Sequence, residues 1–296
     1  MKPLLWTIYR RLRLSWASIT EKNEFLSAGE TLGLQQEWQA VQNLLQARAD
    51  VIELIQTDPE GYLLYQTPLG PFWAPPGSSD YYIRMLLQEI KSNIYRIDAN
   101  IPADSVFLDC GANIGFFTRF ALLNGAPRVV AFEPAPKTAI CLRRNLEKEI
   151  AAGRVVVVEK GLWDSDVMLA FSTSSVANPG SNHVVENGSG DMQLPLTTID
   201  TVCQELGIER LAYIKMDIEG AEVRALKGAR KSIEAHLPHC LIATEHTEDL
   251  FQNALDVLEI MRLISPRYRF SVTEWHHSDS PAHGRKLTPY CLSFRV

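Results

Sequence analysis

The stretch Asp109-Cys110-Gly111-Ala112-Asn113-Ile114-Gly115 decides how the rest of this 296-residue chain is read. It follows the apolar run Val106–Leu108 and opens a helix-like segment at Phe116–Leu123, so it is a turn from strand into helix. Gly111 and Gly115 remove side chains where a backbone must turn tightly or approach a ligand. The spacing is neither the Gly-x-Gly-x-x-Gly of dinucleotide sites nor the Gly-x-x-x-x-Gly-Lys of phosphate loops. A phosphate cradle calls for open amides and no carboxylate. Asp109, just ahead of the first glycine, instead suits a ligand that offers an ammonium group.

Outward from that turn, Val106–Leu108, Val129–Phe132, Val155–Val158, Leu211–Met216 and Cys240–Thr244 are short apolar runs separated by segments of helical spacing. This alternation predicts an α/β fold with a doubly wound parallel sheet. Tyr268–Thr273 and Tyr290–Val296 are β-rich and should pair antiparallel at one edge. Ala177–Gly190 is a polar loop whose length suits a flap over an acceptor. An acid follows nearly every strand: Asp109, Glu133, Glu159, Asp217 and Glu245. In open sheets of this kind, ligands bind at the carboxyl ends of the strands where the strand order switches. Acids at strand ends also serve as plain helix caps. Glu133 stands about twenty residues past the turn, where an acid hydrogen-bonds ribose hydroxyls, and Pro134 turns the chain behind it. An amino-acid end plus a ribose describes S-adenosyl-L-methionine.

Three segments, Asp109–Gly115, Phe132-Glu133-Pro134 and Lys215-Met216-Asp217-Ile218-Glu219-Gly220-Ala221-Glu222, together resemble the FkbM family of S-adenosylmethionine-dependent methyltransferases. Thr197-Thr198-Ile199-Asp200, ahead of the fourth strand, resembles that family too. The resemblance implies a seven-strand, Rossmann-like methyltransferase sheet with an antiparallel last strand. It also implies an S-adenosyl-L-methionine cofactor and a hydroxyl acceptor on a small molecule, a sugar or glycan, or a polyketide-type compound. Carried over by position, Asp109, Gly111, Asn113 and Gly115 line the methionine end. Glu133 then holds the ribose, with Pro134 behind it in the cofactor site, and Gly161 and Leu162 flank the adenine.

Lys215, Asp217 and Glu219 recur with period two, which in an extended segment points them one way. A hydroxyl acceptor must lose a proton, so a base within hydrogen-bond reach is expected. The candidates are Asp217, Glu219 and His246, the last beside Glu245 at the end of the fifth strand. Lys215 would orient the acids or hold an anionic group on the substrate. A Lys–Asp ion pair closing the strand, with Glu219 as a helix cap, is the purely structural reading of the same residues. His276 and His277, placed after the sixth strand, come next. No second pair of ligands has metal spacing, so no metal is expected. Two alternatives remain open: a nicotinamide-dependent oxidoreductase, whose glycine fingerprint is missing, and a non-catalytic, methyltransferase-like scaffold.

The expected organisation is a helical N-terminal extension (1–60), a hairpin and lead-in helix capping the core (61–100), and the methyltransferase domain (101–296). Lys2, Arg10, Arg11 and Arg13 stand without an acid in the first twenty residues. That segment reads either as a helix resting weakly on an anionic membrane surface or as one packed on the domain or a second subunit. With 29 basic against 35 acidic residues the net charge is −6, so no nucleic-acid partner is expected. The five cysteines are widely spaced and make no Cys-x-x-Cys pair, as in a reducing compartment, and cytoplasm is the expected location.

Overall fold

A computed structural model describes residues 52–91, 97, 101–172, 183–184, 190, 192–244, 250–280 and 284–296. Strands β1 (Glu53–Thr57), β2 (Leu63–Thr67) and β3 (Gly70–Ala74) precede helix α1 (Asp80–Lys91). The chain continues through β4 (Val106–Cys110), α2 (Phe116–Leu123), β5 (Arg128–Phe132), α3 (Pro136–Asn145), α4 (Glu147–Ala151) and β6 (Val155–Val158). Short strands β7 (Gly161–Leu162), β8 (Val167–Ser172), β9 (His183–Val184) and β10 (Met192–Thr197) lead to α5 (Ile199–Glu205). Then come β11 (Leu211–Met216), α6 (Glu222–Lys227), α7 (Arg230–His236), β12 (His239–Ala243) and α8 (Leu250–Ile264). The hairpin of β13 (Arg269–Ser280) and β14 (Gly284–Arg295) follows.

The main sheet has seven strands in the order β13-β14-β12-β11-β4-β5-β6. The run from β12 to β6 is parallel, and β14 joins β12 antiparallel. Every residue of β4 is buried, which is why it opens on the apolar run Val106–Leu108 with no polar alternation and holds Asp109 sealed near its end. The strand order reverses between β4 and β11, and the carboxyl ends of those two strands open the crevice where such sheets bind ligands. The expected edge pair is present, lengthened into a hairpin that runs from Arg269 to Arg295.

Two departures from expectation concern the flanks. The helical extension assigned to 1–60 overran its end, because Glu53–Thr57 is the outer strand of a three-stranded sheet with β2 and β3. Glu53, Gln56 and Thr57 in that strand are polar and all five residues are exposed, so its period carries no signal. Residues 1–51 lie outside the described residues, and with them the readings of a membrane-surface or dimerising helix. The second departure is a four-stranded sheet, β7-β10-β8-β9, that was not expected at all. Pro195 sits inside β10 opposite Met168, and a proline normally argues against a strand. Of the expected flap Ala177–Gly190, the described part includes His183–Val184, which pairs with β8.

The three-stranded sheet is fastened to α2 and α3. Asn145 Oδ1 accepts from the Trp73 amide at 2.6 Å, and Nδ2 donates to Trp73 O at 3.0 Å and to Ile114 O at 2.8 Å. One side chain thus pairs with a strand backbone while holding the glycine turn. Phe72 stacks on Phe116 with centroids 3.9 Å apart, and the Arg119 guanidinium lies 4.0 Å from the Phe72 ring. Arg119 also donates to Pro71 O at 2.8 Å and to Asn145 O. All five cysteines are buried. Among the described residues no helix is long and apolar enough to cross a membrane.

Replacing Asn145 with Ala should lower unfolding free energy by about 2–4 kcal/mol, since it strands three backbone groups in a largely buried place. Urea denaturation of the full chain measures this. A loss under about 0.5 kcal/mol would assign the attachment to the Phe72 stack instead.

Candidate active site

The centre of the crevice is built on the register between β4 and β11, which sets Lys215 opposite Asp109. The Lys215 ammonium donates to Gly111 O at 2.8 Å and lies 3.6 Å from Asp109 Oδ1 and 3.7 Å from Asp217 Oδ2. Thr118 Oγ1, one turn into α2, donates to Asp109 Oδ2 at 2.5 Å. Burial alone would lower the Lys215 pKa, but the flanking Asp217 and Asp109 carboxylates outweigh it and raise it. The ammonium therefore stays charged. Burial raises the Asp109 carboxyl more than Lys215 and Thr118 lower it.

This geometry separates two acids that the sequence treats alike. The Asp109 side chain is 0% exposed and Asp217 is 21% exposed. Asp109 is spent inside the protein, its Oδ1 holding no hydrogen bond. Asp217 is the acid of the pair that reaches the crevice. The Gly111 turn presses on the Asp217 backbone: a Cβ on Gly111 would stand 1.9 Å from Asp217 O, and Gly111 has a φ of +81°. No other residue fits there. Gly115 has a φ of 94° and opens α2 with no side chain capping the first amides.

Glu133 ends β5 with its carboxylate gripped at both oxygens. Oε2 accepts from the Asn113 amide at 3.0 Å and Oε1 from the Ala135 amide at 2.9 Å. Burial still dominates and pushes its pKa up to about 7 against those two hydrogen bonds. Asn113 has a φ of 53°, and its Oδ1 accepts from the Ile114 amide at 2.8 Å and from the Tyr82 hydroxyl of α1. Gly161 is bare against Leu196, with the ring of Pro134 3.8 Å from where its Cβ would be. Gly161 and Leu162 are both buried, as β7 paired with β10.

The line of Lys215, Asp217 and Glu219 breaks after its second member. β11 ends at Met216, and Glu219 (φ 56°) and Gly220 (φ 94°) form a left-handed turn, so period two no longer applies. Glu222 holds that turn: its Oε1 accepts from the Ile218 amide at 3.0 Å and the Gly220 amide at 3.4 Å. His246 and Glu245 lie outside the described residues. His276 and His277 fall inside β13, opposite Thr288 and Leu287, rather than after the strand as expected. Thr198 caps α5, and Asp200 accepts from the Lys231 and Ser232 amides at the start of α7, so both hold helix ends. Sequence reasoning missed Tyr82, Thr118 and Glu222. Only Glu222 carried a local signal, as an acid in the first turn of a helix.

A parallel sheet with a bare-glycine turn at its switch point and an acid closing the next strand defines an α/β enzyme fold of the nucleoside-binding kind. The family model of the methyltransferase FkbM domain matches residues 109–272, more than half of the chain. This protein belongs to that family, which displaces the oxidoreductase alternative. Hexuronic acid methyltransferase AglP of Haloferax volcanii is 29% identical over 153 residues, 52% of this chain and 57% of that protein. The 31-O-demethyl-FK506 methyltransferase FkbM of Streptomyces tacrolimicus is 35% identical over 156 residues, 43% of this chain and 60% of its own. The 2-O-methyltransferase NoeI of Sinorhizobium fredii is 26% identical over 180 residues, 54% of this chain and 71% of its own. The chain spans about three fifths of the length of the first curated relatives it matches.

Lys215→Met should destabilise the fold by about 3–5 kcal/mol, because it leaves Asp109 buried without its cation. Adding Asp109→Asn should recover part of that loss. A single variant as stable as the wild type in denaturant would show that the ammonium does not hold the strand ends.

Proposed function

We propose that this protein is an S-adenosyl-L-methionine-dependent methyltransferase acting on a hydroxyl oxygen of a sugar or a polyketide-type small molecule. The observation that carries the cofactor is the Glu133 carboxylate, which is buried beside the glycine turn. Each of its oxygens accepts one backbone amide and keeps a lone pair for a ribose hydroxyl. The residues present fit that group. Gly111 and Gly115 leave the turn bare, α2 begins uncapped, and Asp217 offers a carboxylate toward the crevice. Gly161, Leu162 and Pro134 would flank the adenine, and Asn113 and Asp217 would hold the methionine end. The acceptor class rests on AglP, NoeI and the FkbM enzyme, whose names carry a hexuronic acid, a 2-O position and a 31-O position.

Adenosylmethionine, when bound, supplies a methyl carbon on a sulfonium, a leaving group that needs no acid. What the protein must do is hold the acceptor oxygen in line and take its proton. Asp217, Glu219 and His246 are the groups proposed for that proton. Lys215 is committed to Gly111 O and two carboxylates, so its part is to orient Asp217 rather than to bind substrate.

Calorimetry should show binding of adenosylhomocysteine and none of NAD, and a protein that binds neither would be a scaffold. The Glu133 carboxyl keeps its proton up to about 7 in the folded protein, against 4.5 when exposed, so the unliganded protein loses stability as pH rises across that window. Ribose hydroxyls favour the ionised form. Adenosylhomocysteine affinity should therefore climb between pH 6 and 8 with a midpoint near 7. Glu133→Gln should flatten the climb and weaken binding by about 1–3 kcal/mol. An unchanged profile in that variant would place the ribose elsewhere.

With a true acceptor, substituting the proton-accepting residue (Asp217→Asn, Glu219→Gln or His246→Ala) should cut turnover about 100-fold; Glu219→Gln and His246→Ala should spare cofactor affinity, whereas Asp217→Asn should also weaken it. Near-normal turnover in all three would leave positioning as the whole of catalysis.

A further inference from the structure

Helix α1 lies outside the segment shared with the family model, yet it delivers a hydroxyl to the glycine turn. Its seat is the apolar core that also holds Ala112 and Ile114 of the turn. Tyr82, Ile83, Leu86, Leu87 and Ile90 bury one face of the helix, and Ser79 caps it by accepting from the Tyr82 amide at 3.3 Å. Tyr82 is 1% exposed, so its ring is fixed by packing, and its hydroxyl is the group that hydrogen-bonds to the turn. The Ile114 amide at 2.8 Å can only donate, which makes the atom facing it the Asn113 carbonyl oxygen. Tyr82 must then be the donor to the same oxygen, and Asn113 Oδ1 is held from two sides. The amide plane is thereby set, and Nδ2 is turned away from both donors. It has no acceptor among the described residues, and Asn113 is partly open to solvent.

We propose that Tyr82 is a positioning residue that aims Asn113 Nδ2 at the carboxylate of the cofactor's methionine end, which makes α1 a part of the cofactor site. The proposal rests on the cofactor reading above and adds the group that recognises the amino-acid end. A neutral amide suits this task because Asp217 and Asp109 already crowd the turn with negative charge, and a carboxylate ligand needs a donor there. Lys215 cannot serve, being buried against Gly111 O and the two acids. The tyrosine is needed because the Ile114 amide alone leaves the carboxamide free to pivot about one bond.

The test compares two ligands on the full chain by calorimetry. Adenosylhomocysteine carries the amino-acid end, and methylthioadenosine has the same nucleoside and thioether without it. Tyr82→Phe should weaken adenosylhomocysteine about tenfold and leave methylthioadenosine within about twofold. Asn113→Ala should act alike, and the double variant should lose no more than Asn113→Ala alone. Asn113→Asp, which sets a carboxylate where Nδ2 stood, should weaken adenosylhomocysteine further than Asn113→Ala and again spare methylthioadenosine. An undiminished adenosylhomocysteine affinity in that variant overturns the proposal even if Tyr82→Phe folds poorly. Equal losses for both ligands would make Tyr82 merely structural, and additive losses would unlink it from Asn113; either outcome overturns the proposal, as does unchanged affinity. A wild type that binds methylthioadenosine but not adenosylhomocysteine would overturn it too, while one that binds neither removes the cofactor reading itself.

Discussion

One buried ammonium ties the two halves of the crevice together. Lys215 projects from β11 to the backbone of the Gly111 turn after β4, and the acids on either side stand one in β4 (Asp109) and one just past the end of β11 (Asp217). The ammonium is the member this set cannot lose, because without it Asp109 is left fully buried with no cation beside it. The set therefore locks the end of β4 to the end of β11 at one separation. The bare Cα of Gly111 against Asp217 O belongs to the same constraint, since the strand ends could not close on the ammonium with a side chain between them.

A second layer of constraint comes from the chain ahead of the sheet. Asn145 joins Trp73 of β3 to Ile114 of the turn, and Tyr82 of α1 joins Asn113 beside it. Asn113 in turn lends its amide to Glu133. Residues 73–82 thus reach Glu133 through a short run of hydrogen bonds, each fixing the donor or acceptor of the next. Arg144 strengthens the attachment, donating to Asp58 at 2.6 Å while lying over the rings of Tyr62 and Trp73. The hairpin and helix expected to cap the core are thus tied to the glycine turn.

The five acids placed at strand ends show how far residue order reaches. Asp109 is enclosed with Lys215 and Thr118, and Glu133 is gripped by two amides. Glu159 pairs with Arg143 at the surface, with both side chains about half exposed. Asp217 faces the crevice, and Glu245 lies outside the described residues. Their positions were legible, since each follows an apolar run that ends a strand. Their separate fates were not, because each depends on a partner far along the chain: Asp109 on a lysine 106 residues later, Glu133 on an amide 20 residues earlier.

By itself the sequence determined the parallel sheet, its antiparallel edge pair and the glycine turn at its centre. Strand burial and tight turns impose local patterns on residue type: the apolar run Val106–Leu108 in β4 and glycine at a φ of +81°. It also determined which acids stand at the carboxyl ends. Only the tertiary structure decided which acid is sealed and which is open, that Glu219 leaves the line of Lys215 and Asp217, and that Pro195 sits inside a strand. It alone brought Tyr82 to Asn113. The physical reason is common to all of these. Burial and hydrogen-bond partnership belong to pairs of residues that the chain brings together only when the sheet closes, and no local period or propensity encodes the distance between them.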